Sequence, residues 1–207
     1  VSNSSRDDVL PTSTDMNLYG GIYREAELIL TERTAISPLY LGSDGVLVHP
    51  QTVGPEKVEG EIEVHITSKG DNSCTLNVDI TSPRGERVFS KRQKARLDGK
   101  PVSVAFSVDN PTLWSLRDPA LYTVTASIGE DSITDRVAVR TGFRSIGAST
   151  AEGLTINGER TPVRGVTLYH DRAAIASALR TLYYDEDMEL INDIGANAVR
   201  SATYPSR

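Results

Sequence analysis

The chain has 207 residues, 38% of them hydrophobic and 24% charged, and its 22 Lys and Arg against 28 Asp and Glu leave a formal net charge of −6. At roughly 100 to 200 residues per domain this is one large domain or two small ones, and no apolar run approaches the ~20 residues a membrane-spanning helix needs. The acidic balance offers phosphate backbones no basic field, so neither nucleic acid nor a membrane is an expected partner.

From the N-terminus, Val1 to Thr14 is polar and irregular, with nothing like a signal peptide, so the sequence is expected to begin inside a longer gene product. Ile22 to Leu30 reads as one strand, the tail of a domain lying upstream. The single cysteine, Cys74, cannot form a disulfide within the chain, and no Cys/His group has zinc spacing.

Between Val58 and Val139 the apolar residues recur at period two, the spacing of a half-buried strand. Val58, Ile62, Val64 and Ile66 form one such run, Leu76, Val78 and Ile80 a second. Val102, Val104, Phe106 and Val108 form a third, and Tyr122, Val124, Ala126 and Ile128 a fourth. The intervening segments carry turn chemistry: Lys69-Gly70-Asp71-Asn72, Ser82-Pro83-Arg84-Gly85, Asp98-Gly99-Lys100 and Gly129-Glu130-Asp131. About seven such strands in ~100 residues predict an immunoglobulin-like antiparallel β-sandwich, with a small barrel as the alternative. Val64, Val78, Val104, Phe106, Val124 and Ile128 are its expected core.

After Gly147 the texture changes. Leu154, Ile156, Val163 and Val166 flank an Asn157-Gly158 hairpin turn. The spacing then predicts a helix over Asp185 to Gly195, with acids in its first turn, Met188, Ile191 and Ile194 on one stripe and Gly195 at its stop. Ala196 to Arg200 follows as a strand, so this region opens a parallel α/β unit.

Chemical signals taken singly are sparse. No Gly-rich phosphate loop, GxSxG elbow or HExxH is present. His65 lies between inward positions and is expected to face solvent, His49 sits before Pro50 in a turn-like segment, and Glu56, Glu59, Glu61 and Glu63 read as a solvated sheet face. Trp114, after an Asn-Pro turn, is expected to fill core or a domain seam. Gly20, Gly21 and Arg24 read as scaffold at a bend.

Several motifs recur in a recognisable order: Asp15-Met16-Asn17-Leu18-Tyr19-Gly20-Gly21-Ile22-Tyr23-Arg24, Asn110-Pro111-Thr112-Leu113-Trp114-Ser115 with Pro119-Ala120-Leu121-Tyr122, Gly142-Phe143-Arg144, Asn157-Gly158, Arg164-Gly165-Val166, and Gly195-Ala196-Asn197-Ala198-Val199-Arg200. In this order they resemble glycoside hydrolase family 2, the family of β-galactosidases, β-glucuronidases and β-mannosidases. The resemblance implies a mainly β architecture in three parts: residues 1–30 ending a sugar-binding jelly roll, 31–146 the immunoglobulin-like sandwich, and 147–207 the start of a (β/α)8 catalytic barrel.

The resemblance also implies roles. Asp15 matches an acid that reaches toward the sugar and helps hold a sodium ion, Arg200 matches an arginine beside the nucleophile carboxylate, and His170-Asp171 follow the first barrel strand at the active face. Tyr169 and Thr203 stand where the family usually has histidines that touch the sugar, which places the sugar preference in question. These five residues other than Arg200, namely Asp15, Tyr169, His170, Asp171 and Thr203, are the expected substrate contacts. Both catalytic glutamates of the family lie on later barrel strands, the first in an Asn-Glu pair, and no Asn-Glu dipeptide occurs in this sequence.

The expectation is therefore a non-catalytic piece of a retaining exo-β-glycosidase acting on terminal β-D-galactosides or related oligosaccharides. No cofactor is expected in the piece, and a sodium or magnesium ion is implied in the complete enzyme. A homo-oligomer stays open, as does the compartment, since bacterial periplasm and cytoplasm are both compatible. A carbohydrate- or protein-binding sandwich without hydrolase activity is the alternative.

Overall fold

The computed structural model describes residues 21–23 and 25–202. The expectations for Asp15, Gly20, Arg24 and Thr203, and for the segments Val1 to Thr14 and Thr203 to Arg207, lie outside the described residues. The chain divides into two compact units, one spanning Ile29–Thr161 and the other containing Pro162 onward together with residues up to Leu28.

The first unit is an immunoglobulin-like antiparallel β-sandwich. One sheet has the order β2-β3-β7, formed by β2 (Val46–Val53), β3 (Lys57–Val64) and β7 (Val102–Asp109). The other has the order β6-β5-β8-β9, formed by β5 (Ser73–Thr81), β6 (Arg87–Arg96), β8 (Tyr122–Ile128) and β9 (Asp135–Thr141). Short strands β1 (Thr34–Ile36) and β4 (Ile66–Ser68) pair at the side. A small antiparallel meander of β10 (Ile146–Ser149), β11 (Gly153–Ile156) and β12 (Glu159–Arg160) completes the unit. The sequence reading assigns that meander to the barrel, whereas its contacts group it with the sandwich.

The alternation sets the core. On β3, Val58, Ile62 and Val64 are fully buried while Lys57 and Glu59 are exposed. Across the register Ile62 faces Val104 and Val64 faces Val102, so both strands present the same parity inward. In the opposite sheet Val78 faces Ala126 and Ile80 faces Val124, with the same result. All six expected core residues are at most 4% exposed. Ile66 departs from its run: the strand is interrupted at His65, and Ile66 starts β4 rather than extending β3.

His65 corrects the expectation that it faces solvent. Its side chain is 13% exposed, its ring stacks on Tyr40 with centroids 3.5 Å apart, and Nε2 lies 2.5 Å from Glu63 Oε1. Its backbone leaves the ladder, N–H bonding Gly45 O and C=O accepting from Ser37, and strand parity no longer applies there. His49 lies inside edge strand β2 rather than a turn. The register shift between Pro50 and Thr52 accommodates a proline that has no N–H to donate. Among the described residues of Ile22 to Leu30 none is in a strand; Ile22, Leu28, Ile29 and Leu30 are exposed, and no described strand pairs with the segment.

In the second unit, β13 (Gly165–Leu168) and β14 (Ala198–Ser201) pair in parallel, joined through α1 (Thr181–Asp193). The strand, helix, strand unit expected from the sequence is present. The helix begins earlier than the acidic run suggested, at Thr181, so Asp185, Glu186 and Asp187 sit in its second turn and the first turn holds no acid. Its end is as expected: Gly195 takes φ +73, its N–H bonds Asn192 O and the Ala196 N–H bonds Ile191 O, which is the Schellman pattern. The apolar stripe is uncovered, since no helix residue is buried and Met188 is 44% exposed.

Leu76, on the inward face of β5, and Glu61, on the outward face of β3, make a direct test. Leu76→Ala removes a fully buried side chain and is expected to destabilise the sandwich by about 2–5 kcal/mol, whereas Glu61→Ala on the outer face shifts stability by about 0.5 kcal/mol or less. Urea unfolding of the two variants checks both.

Candidate functional site

Two clusters bring the sequence motifs together. In the sandwich unit the strap between β7 and β8 is tied from several sides. Asn110 takes φ +46, and its N–H bonds Glu56 O. The Thr112 N–H donates to Tyr122 Oη at 2.9 Å, and the Trp114 N–H to Phe143 O at 2.9 Å. Asn157 Nδ2 donates to Trp114 O at 3.0 Å, from a turn in which Asn157 and Gly158 both have positive φ. Positive φ at both central positions is the hairpin geometry that Asn-Gly favours.

Trp114 is half-buried, and its ring occupies the space a side chain at position 142 would need. A Cβ on Gly142 would lie 2.8 Å from the ring's Cδ1. On the ring sits the Arg144 guanidinium, 4.6 Å from the centroid. Between these two residues Phe143 is fully buried, 4.6 Å from the Tyr122 ring and 5.8 Å from Phe106. The motif residues of this unit are thus a structural joint.

The second cluster lies at the C-terminal ends of β13 and β14. Leu168 is level with Ser201 and Thr167 with Arg200, and the Ala202 N–H closes the pair onto Leu168 O at 3.0 Å. Tyr169, His170 and Asp171 leave β13 at the same end, so the structure brings four of the expected site residues, these three and Arg200, to one edge. Tyr169 is 49% exposed and Arg200 is exposed, whereas His170 is 7% exposed and sits edge-on to Tyr184, centroids 5.6 Å apart. Burial against a helix ring suits His170 to anchoring the loop. At the other end of the strands, Asn197 Oδ1 accepts the Arg164 N–H while its Nδ2 donates to Pro162 O, both at 2.8 Å, and Arg164 Nε donates to Gly195 O. These motif residues hold the strand starts, where barrel folds place stability rather than chemistry.

Arg172 is a residue the sequence reading missed. Its guanidinium bonds Glu186, Asp187 and Tyr183 O on α1, 11 to 15 residues away. No local spacing rule signals such a contact, because it spans a loop of irregular backbone. Among the described residues no group of three His, Cys, Asp or Glu could hold a metal ion, and Asp15, the implied sodium contact, lies outside them. No described helix is long and apolar enough to cross a membrane. Elsewhere on the sandwich a cavity of about 300 Å³ is lined by Tyr40, His65, Thr67 and Lys100 among others, beside the Tyr40–His65 stack. In β5, half-buried Cys74 has its thiol pKa raised by burial and by Asp71.

Residues 46–144 match the family model of glycosyl hydrolases family 2. The chain is 32% identical over 212 residues to a β-glucuronidase of Bacteroides fragilis, covering 99% of this chain and 30% of that protein. Among solved structures, an FMN-binding β-glucuronidase from Facaelibacterium prausnitzii L2-6 superposes with a TM-score of 0.89 at 31% identity, covering 100% of this chain and 32% of that one. Bacteroides uniformis β-glucuronidase 2, covalently bound to cyclophellitol-6-carboxylate aziridine, gives a TM-score of 0.83 at 26% identity over 98% of this chain and 25% of that one. The chain therefore spans under a third of the length of these relatives.

Two outcomes test the geometry. Gly142→Ala forces Trp114 off its seat, and because Trp114 is the chain's single tryptophan, its emission should shift to the red and the sandwich should lose about 1–3 kcal/mol. Cys74 should alkylate more slowly with iodoacetamide at pH 8 than a free thiol and catch up only at higher pH, since a raised pKa leaves less thiolate at any pH below it.

Proposed function

We propose that this chain, whose residues 46–144 belong to glycosyl hydrolases family 2, is part of a retaining exo-β-glycosidase that removes a terminal β-D-galactoside or β-D-glucuronide. The observation that supports this best is the convergence of Tyr169, His170, Asp171 and Arg200 at the C-terminal edge of a parallel strand pair, the edge where barrel enzymes carry their chemistry. The names of the relatives support both sugars, with the glucuronidases among the more similar.

Retaining glycosidases need two carboxyl groups about 5 to 5.5 Å apart, one as acid/base and one as nucleophile. No Asn-Glu pair is present in this chain, so both glutamates belong to residues beyond it in this reading, and the 207 residues alone bind and support without catalysing. Arg200 acts there by keeping the nucleophile carboxylate ionised, since an arginine stays charged throughout the working range and favours an adjacent anion. Tyr169 and Asp171 offer hydroxyl and carboxylate hydrogen bonds to the sugar, as do Asp15 and Thr203. Tyr and Thr in place of the family's histidines still hydrogen-bond but cannot become cationic, so a strict β-galactoside preference is not assigned. A sodium or magnesium ion and a homo-oligomeric state belong to the complete enzyme in this reading.

Assays of nitrophenyl β-galactoside and β-glucuronide separate the parts. The full-length protein is expected to cleave at least one and the isolated 207-residue chain neither; turnover by the isolated chain would refute the division of labour. In the full-length protein, Arg200→Ala removes a charge-assisted contact worth roughly 1.5–3 kcal/mol and should lower kcat by about 10- to 100-fold. Asp15→Ala should act mainly through KM, because a grip equal in ground and transition states sets binding rather than turnover. Tyr169→His with Thr203→His should raise the β-galactoside preference if those positions shape the sugar subsite.

A further inference from the structure

We propose that Arg172 is a positioning residue that fixes the Tyr169–Asp171 segment against α1 and so holds Asp171 in place for a sugar hydroxyl. This rests on the glycosidase reading above. The backbone after β13 is irregular until Thr181, and such a segment samples many conformations unless side chains restrain it. Within it, Ala174 has φ +71 and Ala176 φ +50, a left-handed region that a side-chain-bearing residue adopts only when its surroundings impose it. The imposition is visible. Arg172 N–H donates to Ala176 O at 3.0 Å and the Ala176 N–H donates back to Arg172 O at 2.9 Å, closing the segment into a small ring.

What ties that ring to the helix is the Arg172 guanidinium. Nη1 donates to Glu186 Oε2 at 2.8 Å, and Nη2 donates to Asp187 Oδ1 at 2.5 Å and to Tyr183 O at 3.0 Å. The plane also lies over the Tyr183 ring, 4.7 Å from its centroid. A planar fork aimed at two carboxylates, a carbonyl and a ring fixes direction as well as distance, which the single point charge of a lysine does not. Two residues upstream, His170 is buried edge-on to Tyr184 of the same helix. Asp171 thus stands between two anchors, His170 before it and Arg172 after it, at the C-terminal end of β13. A contact residue preordered in this way binds without losing loop freedom on each encounter.

A helix clamp with no bearing on the sugar would have the same contacts, so the test measures coupling to Asp171 rather than stability alone. In the full-length protein, kcat and KM are measured on the nitrophenyl β-glycoside that the unaltered protein cleaves, for Arg172→Lys, Asp171→Ala and the double variant. Arg172→Lys is expected to raise KM about 10-fold with kcat changed less than about 3-fold, and to add less than about 2-fold to KM once Asp171 is alanine. An unchanged KM in Arg172→Lys, or an equal rise in both backgrounds, overturns the proposal. If Arg172→Lys does not fold, Asp187→Asn, which weakens one acceptor and leaves the guanidinium in place, enters the same cycle under the same criteria. A full-length protein inactive on every β-glycoside tried would instead sink the glycosidase reading itself.

Discussion

Phe143 is the residue on which the sandwich's irregular parts depend. It is fully buried between Phe106 and Tyr122, joining one sheet's β7 to the other sheet's β8. An aromatic of that size cannot be inserted from a loop unless the backbone on either side of it is held. Gly142 allows the Trp114 ring to lie flat against the chain, Arg144 closes over that ring, and the Phe143 carbonyl receives the Trp114 N–H. The strap from Asn110 to Trp114 is therefore fixed by the core rather than by a ladder of its own, which is how a segment without secondary structure satisfies its polar groups.

The same economy appears in the second unit with different chemistry. Asn197 satisfies a donor and an acceptor of the β13 approach, and Arg164 returns a bond to the Gly195 carbonyl at the helix stop. Gly195 can take its left-handed φ without a Cβ penalty, so helix end and strand start are joined by one short turn. Both units thus hold irregular backbone by side-chain amides and guanidinium groups at fixed places.

What the sequence made legible follows from which forces act locally. Period two predicted the inward faces of β3, β5, β7 and β8 because burial on one face of a sheet constrains every second residue. Asn157-Gly158 and Gly195 were readable because positive φ selects residue type directly. His65 was misread because parity holds only while the ladder continues, and the chain leaves it there. The helix start was misplaced because an acidic run marks a first turn only where no other demand acts; here Glu186 and Asp187 are held one turn further in by Arg172. Of the candidate site, the strand ends carrying Tyr169 to Asp171 and Arg200 were foreseeable from the β–α–β pattern, but the burial of His170 depends on Tyr184, a partner no spacing announces.

That division bears on how motifs are to be understood in this chain. Asn110, Tyr122, Gly142, Phe143, Asn157, Arg164 and Asn197 all make joints, and none of them needs a substrate to explain its residue type. The segment after β13 is built differently: past the last pairing of Leu168 with Ser201, Tyr169, His170 and Asp171 lie in irregular backbone. There the backbone ladder has ended, and the segment meets α1 through the Arg172 guanidinium and the His170 ring rather than through a strand. The two kinds of restraint differ. The joints are fixed by packing that can be checked residue by residue, while the loop after β13 is held to α1 by the Arg172 ion pairs and the buried His170 ring, on a backbone with Ala174 and Ala176 at positive φ.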